Sequence, residues 1–202
     1  MQTIKNNYKW PRPIGFEPFD HQKETAEFLS LRHRAFCFNE QGTGKTASVI
    51  WAADYLLGKG AINRVLIVCP LSIMQASWQN DLFKFAVHRT VDVAYGTSDK
   101  RRKIISGNAE FVIINYDGVP SVIEELKAGN FDLIVIDEAN AYKNVQTKRW
   151  KLMRKLLGPK VGMWMLTGTP AAQSPVDAYG LAKMCVPDNA PQFFGEIGRA
   201  HV

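Results

Sequence analysis

Two residue clusters, far apart in the chain, carry the groups needed to hold and split a nucleoside triphosphate. The first is NEQGTGKT at Asn39–Thr46. Gly42 and Gly44 let the backbone of Gln41, Gly42, Thr43 and Gly44 turn its N–H groups inward around a phosphate. A helix starting there adds the positive end of its dipole. The Lys45 ammonium would reach the β- and γ-phosphates, and the Thr46 hydroxyl would ligate the Mg²⁺ that bridges them. The second cluster is Asp137–Glu138, at the end of the apolar run Leu133–Ile136. Asp137 would hold the Mg²⁺, directly or through water, and Glu138 would orient and deprotonate the attacking water. Asn39 stands where the phosphate-loop pattern G-x-x-x-x-G-K-[ST] has its first glycine. The flanks still suit the motif, with RAFCFN before it as a buried strand and TASVIWAADYLL after it with helical periodicity.

Both clusters have to be held by something. Strand-like runs recur at Ala35–Asn39, Val65–Pro70, Val91–Tyr95, Phe111–Tyr116, Leu133–Asp137 and Met163–Thr167, with helical segments between most of them. This alternation predicts an α/β domain with a mostly parallel sheet and helices on both faces. Ligands of such sheets sit beyond the carboxyl ends of the strands. Asn39, Pro70, Tyr116, Asp137 and Thr167 each end a run, so five candidate segments would share one edge.

With 46% hydrophobic and 22% charged residues over 202 positions, the chain has the composition of one good-sized globular domain. No apolar run approaches the ~18 residues of a membrane span, and the N-terminus lacks the apolar stretch of a signal peptide. An intracellular protein with no membrane partner is expected. Cys37, Cys69 and Cys185 are widely spaced, and the expectation is buried reduced thiols, not a disulfide framework or metal site. A net charge of +6 favours a polyanionic partner, although a generic basic surface explains it almost as well. The clusters Lys100–Lys103 (KRRK) and Lys148–Lys155 (KRWKLMRK) are either phosphate contacts or solvated helix faces.

The order of NEQGTGKT, DEANAYKN at Asp137–Asn144 and LTGTP at Leu166–Pro170, with room for several strand–helix units between Lys45 and Asp137, resembles the first RecA-like motor domain of superfamily 2 helicases. Within that superfamily it is similar to the Swi/Snf-type DNA translocases, including short viral and bacterial members. The resemblance covers roughly residues 15–195, leaving 1–14 as an N-terminal extension, and implies a RecA-like P-loop fold that uses ATP and Mg²⁺. It implies that Gln22, in PFDHQ, hydrogen-bonds the adenine; the plain alternative is a surface glutamine opening a helix. It further implies that Pro70, Leu71 and Ser72 lie along one DNA strand, and that Asn115 and Tyr116 contact the DNA backbone. Thr167 and Thr169 would link the γ-phosphate side to the nucleic-acid side, the alternative being a strand-end turn with self-satisfied hydroxyls. Trp78 and Phe85 are expected in the core. Asn140 replaces the histidine of the family's DEAH box, while Lys143 and Asn144 match its trailing pair and would shape the ATP and interdomain edge.

The resemblance implies double-stranded DNA as the partner and a second RecA-like domain, carrying an arginine finger, beyond the segment SPVDAYGLAKMCVPDNAPQFFG. These residues alone are therefore expected to be nearly inactive as an ATPase. Residues 196–202 are expected to be a non-native tail, because IGRAHV can be encoded by the start of a widely used sequencing adapter. The leading expectation is a motor tracking along duplex DNA by backbone contacts. The alternatives are a strand-separating helicase or restriction-system motor subunit, and a non-motor ATP-binding module. A small P-loop kinase fits poorly, having no use for LTGTP.

Overall fold

The computed structural model describes residues 3–38, 44–168 and 175–186. Six strands form one sheet: β1 (Arg34–Phe38), β2 (Val65–Cys69), β3 (Val91–Val93), β4 (Phe111–Asn115), β5 (Leu133–Ile136) and β6 (Gly162–Thr167). Their spatial order is β1-β6-β5-β2-β4-β3. Every neighbouring pair is parallel. All six expected strands are present within two residues of their expected bounds. The largest difference is β3, which stops at Val93 because it is an edge strand with β4 as its one neighbour.

Helices α1 (Ile4–Asn7), α2 (Asp20–Ser30), α3 (Lys45–Gly58), α4 (Asn80–Phe85), α5 (Ser98–Ile105), α6 (Ile123–Ala128), α7 (Lys148–Leu156) and α8 (Pro175–Cys185) cover the sheet, with short helical turns between several of them. The central strands VLIVC, FVIIN and LIVI are buried throughout, as a parallel sheet covered on both sides requires. Side-chain alternation then sorts them into two cores. Val65, Ile67, Phe111, Ile113, Leu133, Val135, Trp164 and Leu166 face one, together with residues of α2, α3 and α4. Leu66, Val68, Val112, Ile114, Ile134, Ile136, Met163 and Met165 face the other, with residues of α5 to α8. Trp78 and Phe85 belong to the first core, as expected. All three cysteines are buried and free. Among the described residues no helix is long and apolar enough to cross a membrane.

The segment before residue 15, expected as an extension, contributes to the first core. Ile4 and Trp10 are buried there, Trp10 meets Trp51 edge-on at 5.4 Å, and the Trp51 indole donates to the Pro11 carbonyl at 2.8 Å. A buried carboxylate ties this segment to α3 from the other side. Asp54 accepts hydrogen bonds from the Tyr8 hydroxyl, from Arg89 Nε at 2.5 Å and, across 2.9 Å, pairs with His88 Nε2. Arg89 also reaches Glu110 at 2.7 Å. The expected result of Asp54→Asn is a loss of about 2 kcal/mol, since a charge-assisted bond is replaced by a neutral one in a buried site. Thermal denaturation should register this as a fall of about 5 °C.

Candidate functional site

Parallel pairing in register brings the carboxyl ends of the strands to one edge. Phe38 stands opposite Thr167, Met165 opposite Ile136, Val68 opposite Ile136 and Cys69 opposite Asn115. The described segments following β2, β4 and β5 therefore leave the sheet at one edge, where β1 and β6 also end. Gln41, Gly42, Thr43 and Thr169 lie outside the described residues, as does Asn39.

The phosphate-loop helix begins at Lys45, with Gly44 as its cap in the left-handed region at φ 72°. Glycine is required there twice over. The conformation disfavours a side chain, and a Cβ would come within 2.0 Å of Gln22 Nε2. Gln22, 2% exposed, is no surface residue. Its Oε1 accepts the Phe19 N–H at 3.0 Å and its Nε2 donates to the Gly44 carbonyl at 3.4 Å. The amide expected to address adenine thus fastens the start of α2 to the phosphate-loop helix, while its second N–H and the second lone pair of Oε1 could still meet a base.

Lys45 Nζ is buried and has no hydrogen-bond partner among the described residues. A buried ammonium without a partner is costly unless an anion completes it. Its field reaches the Asp137 carboxylate and favours the ionised form there. Asp137 is 7% exposed, and burial pushes its carboxyl above the usual carboxylate range. Two donors oppose that rise: the Trp78 indole N–H on Oδ2 at 2.9 Å and the Glu138 backbone N–H on Oδ1 at 2.9 Å. The Asp137 backbone N–H continues the sheet pairing to the Val68 carbonyl at 2.9 Å. Glu138 follows in the left-handed region, φ 51° and ψ 55°, and opens the short helical turn Ala139–Tyr142.

Thr46 stands one residue into α3, half-buried. Among the described residues no three His, Cys, Asp or Glu side chains gather as a metal site. The donors present fit Mg²⁺ held by one or two protein oxygens with substrate phosphates and water supplying the rest. Thr46 and Asp137 would be those protein donors, and the unpaired Lys45 ammonium fits the phosphates that the metal would bring.

The expected nucleic-acid residues divide. Ser72 is exposed and Pro70 half-buried at the end of β2, where Leu71, Ser72, Met74, Gln75, Val93 and Tyr95 border a cavity of about 290 Å³. Asn115 and Tyr116, the expected DNA-backbone contacts, have side chains engaged within the domain. Asn115 is 6% exposed and accepts from Arg101 at 3.3 Å. The Tyr116 hydroxyl donates to the carbonyls of Asp137 and Glu138. Thr167 is buried at the end of β6, beside the strand that enters the phosphate loop. The basic clusters also divide. In α5, Arg101 is engaged with Ala94 and Asn115, and Arg102 with Asp99 and Glu125. In α7, Lys148, Lys151 and Lys155 are exposed at spacings that put them on one helix face, and they form no ion pair among the described residues.

Sequence reasoning placed Trp78 correctly in the core and missed its task. The available signal was that a buried indole N–H needs an acceptor. It sits at the end of a π-helical turn, Met74–Gln79, whose wider winding precedes α4.

Residues 21–194 match the SNF2-related domain. The chain is 28% identical over 182 residues to the uncharacterized ATP-dependent helicase MG018 of Mycoplasma genitalium, covering 86% of this chain and 17% of that protein. It is 27% identical over 183 residues to the ATP-dependent helicase FUN30 of Saccharomyces cerevisiae, covering 84% and 16%. Among solved structures, the Sulfolobus solfataricus SWI2/SNF2 ATPase core in complex with dsDNA superposes with a TM-score of 0.76 at 26% identity, covering 88% of this chain and 37% of that one. The chain thus spans less than a fifth of the two helicases. Its parallel sheet is that of a RecA-like motor domain, the field of Lys45 reaches the Asp137 carboxylate just beyond β5, and the match runs across most of its length: the chain belongs to the SNF2-related family.

Proposed function

We propose that this chain binds Mg·ATP between the phosphate loop and Asp137–Glu138 and serves as the first motor domain of an intracellular ATPase that tracks along double-stranded DNA. The observation that carries the reading is the buried Lys45 ammonium, without a hydrogen-bond partner among the described residues, whose field reaches the carboxylate of Asp137; a phosphate-bound Mg²⁺ would complete both. Gln41, Gly42, Thr43 and Gly44 would cradle the phosphates, Gln22 would lie at the base end, and Glu138 would activate water. Among the described residues no arginine hydrogen-bonds into this cluster. Brisk hydrolysis would take a second RecA-like domain whose arginine contributes about 10³–10⁵ in rate.

The DNA side rests on the exposed face of Lys148, Lys151 and Lys155, on Ser72 and Pro70, and on the relative solved with dsDNA. Phosphate contacts suit a motor that must step over any sequence. The test has two halves. A fluorescent ATP analogue should bind with a requirement for Mg²⁺, and turnover by these residues alone should be very slow; brisk turnover would sink the shared-site reading. Duplex binding should weaken steeply with salt and vary little with sequence. Lys148→Glu with Lys151→Glu should lower duplex affinity about tenfold or more at low salt and flatten the salt dependence by about two counterions. Affinity unchanged in that double variant would remove α7 from the DNA surface.

A further inference from the structure

The catalytic turn has an unusual backbone. Glu138 is a non-glycine residue in the left-handed region, a conformation that persists only where its surroundings impose it. Three contacts impose it here. The Asp137 carboxylate takes the Glu138 N–H at 2.9 Å, the Glu138 carbonyl takes the Ala141 N–H at 3.1 Å, and the Tyr116 hydroxyl bridges the carbonyls of Asp137 and Glu138.

The first two contacts are local and would follow the turn wherever it went. The third comes from another part of the chain. Tyr116 follows β4, which is separated from β5 by β2, so the turn after β4 and the side chain together must span two strand spacings, roughly 10 Å. A long side chain ending in a donor meets that demand, and the two carbonyls it reaches belong to the metal-binding candidate and to the candidate base. Its ring is braced on two sides. Tyr142 packs edge-on at 5.6 Å, and the Arg149 guanidinium lies 5.1 Å from the ring centroid, itself held by Asp117 at 2.9 Å. The hydroxyl is thus delivered from the segment that sequence reasoning had given to DNA, and its brace stands on the basic helix α7.

We propose that Tyr116 is a positioning residue whose hydroxyl fixes the Asp137–Glu138 turn so that the Glu138 carboxylate is aimed at the attacking water. This rests on the ATPase reading above. Phenylalanine keeps the ring and removes the donor, leaving the packing against Tyr142 and Arg149 in place. Two measurements on the 202-residue chain decide it. Amide hydrogen exchange, followed by NMR without nucleotide, should quicken about tenfold at Glu138 and Ala141 in Tyr116→Phe and stay the same in β2 and β4. Single-turnover hydrolysis with protein in excess should slow about tenfold or more while Mg·ATP affinity stays within twofold, with Glu138→Gln as the reference for a lost base. Unchanged exchange at Glu138 and Ala141 overturns the proposal. Faster exchange throughout the domain with a lowered melting temperature also overturns it, since that is the mark of a packing residue. A wild-type chain that fails to bind Mg·ATP counts against the proposed function instead, and the exchange data still decide whether Tyr116 holds the turn.

Discussion

Lys45→Met is expected to weaken Mg·ATP binding by about 10- to 150-fold, the loss of a charge-assisted contact of about 1.5–3 kcal/mol. The unliganded protein should be no less stable for it. Nζ is buried with no hydrogen-bond partner among the described residues, so the folded chain bears a desolvation cost that an apolar side chain of similar length does not. Against this stands the attraction between Lys45 and Asp137, but Asp137 keeps its donors from Trp78 and Glu138 when the lysine is gone. The two effects leave a melting temperature that is unchanged or raised by a few degrees, on a scale of about 2–4 °C per kcal/mol. Isothermal titration with Mg·ATP and a thermal melt on the same preparation check both. A melting temperature lowered by more than about 4 °C would show that the ammonium has a stabilising partner in the unliganded fold.

Trp78 should divide into a packing role and a polar one when it is changed in two steps. Trp78→Ala removes a fully buried ring from the core between α3, α4 and the sheet and should cost about 3–5 kcal/mol, a large share of the stability of an ordinary domain. Trp78→Phe retains most of the apolar volume but takes the N–H from Asp137 Oδ2, leaving that buried carboxylate with one donor fewer. The expected result is a milder loss of about 1–3 kcal/mol together with about tenfold weaker Mg²⁺-dependent nucleotide binding. Nucleotide binding measured without Mg²⁺ should scarcely change, because the phosphate loop and Lys45 are untouched. Equal losses with and without Mg²⁺ would mean that Trp78 acts by packing alone. Chemical denaturation and nucleotide titration at two Mg²⁺ concentrations separate these outcomes.

What could be foreseen from the chain alone follows a consistent line. Runs such as VLIVC and LIVI are uniformly apolar because both faces of a parallel strand are buried, so strand positions were legible to within a residue or two. Gly44, Lys45, Asp137 and Glu138 stood out as candidates because phosphate and metal chemistry restricts which residue types can serve it. The packing of Ile4 and Trp10 was not, since nothing in MQTIKNNYKW reports that α2 and α3 leave a place for them. The engagement of Arg101 in the KRRK cluster was not legible for a related reason. Composition counts Arg101 as a surface charge, and only the fold turns it toward the Ala94 carbonyl and Asn115.

The sequence by itself therefore determined the class of fold, the order of its strand–helix units, and the lysine and carboxylates that mark the site, because hydrophobic periodicity and motif chemistry act over short stretches of chain. The tertiary structure decided which other residues complete that site. Strand order sets β2 between β4 and β5, which lets the Tyr116 hydroxyl reach the Asp137–Glu138 turn, while helix packing puts the Trp78 indole on the Asp137 carboxylate and the Gln22 amide on Gly44. Each of these is a contact between segments distant in sequence. Each exists because a buried donor must find an acceptor among whatever neighbours the folded sheet provides.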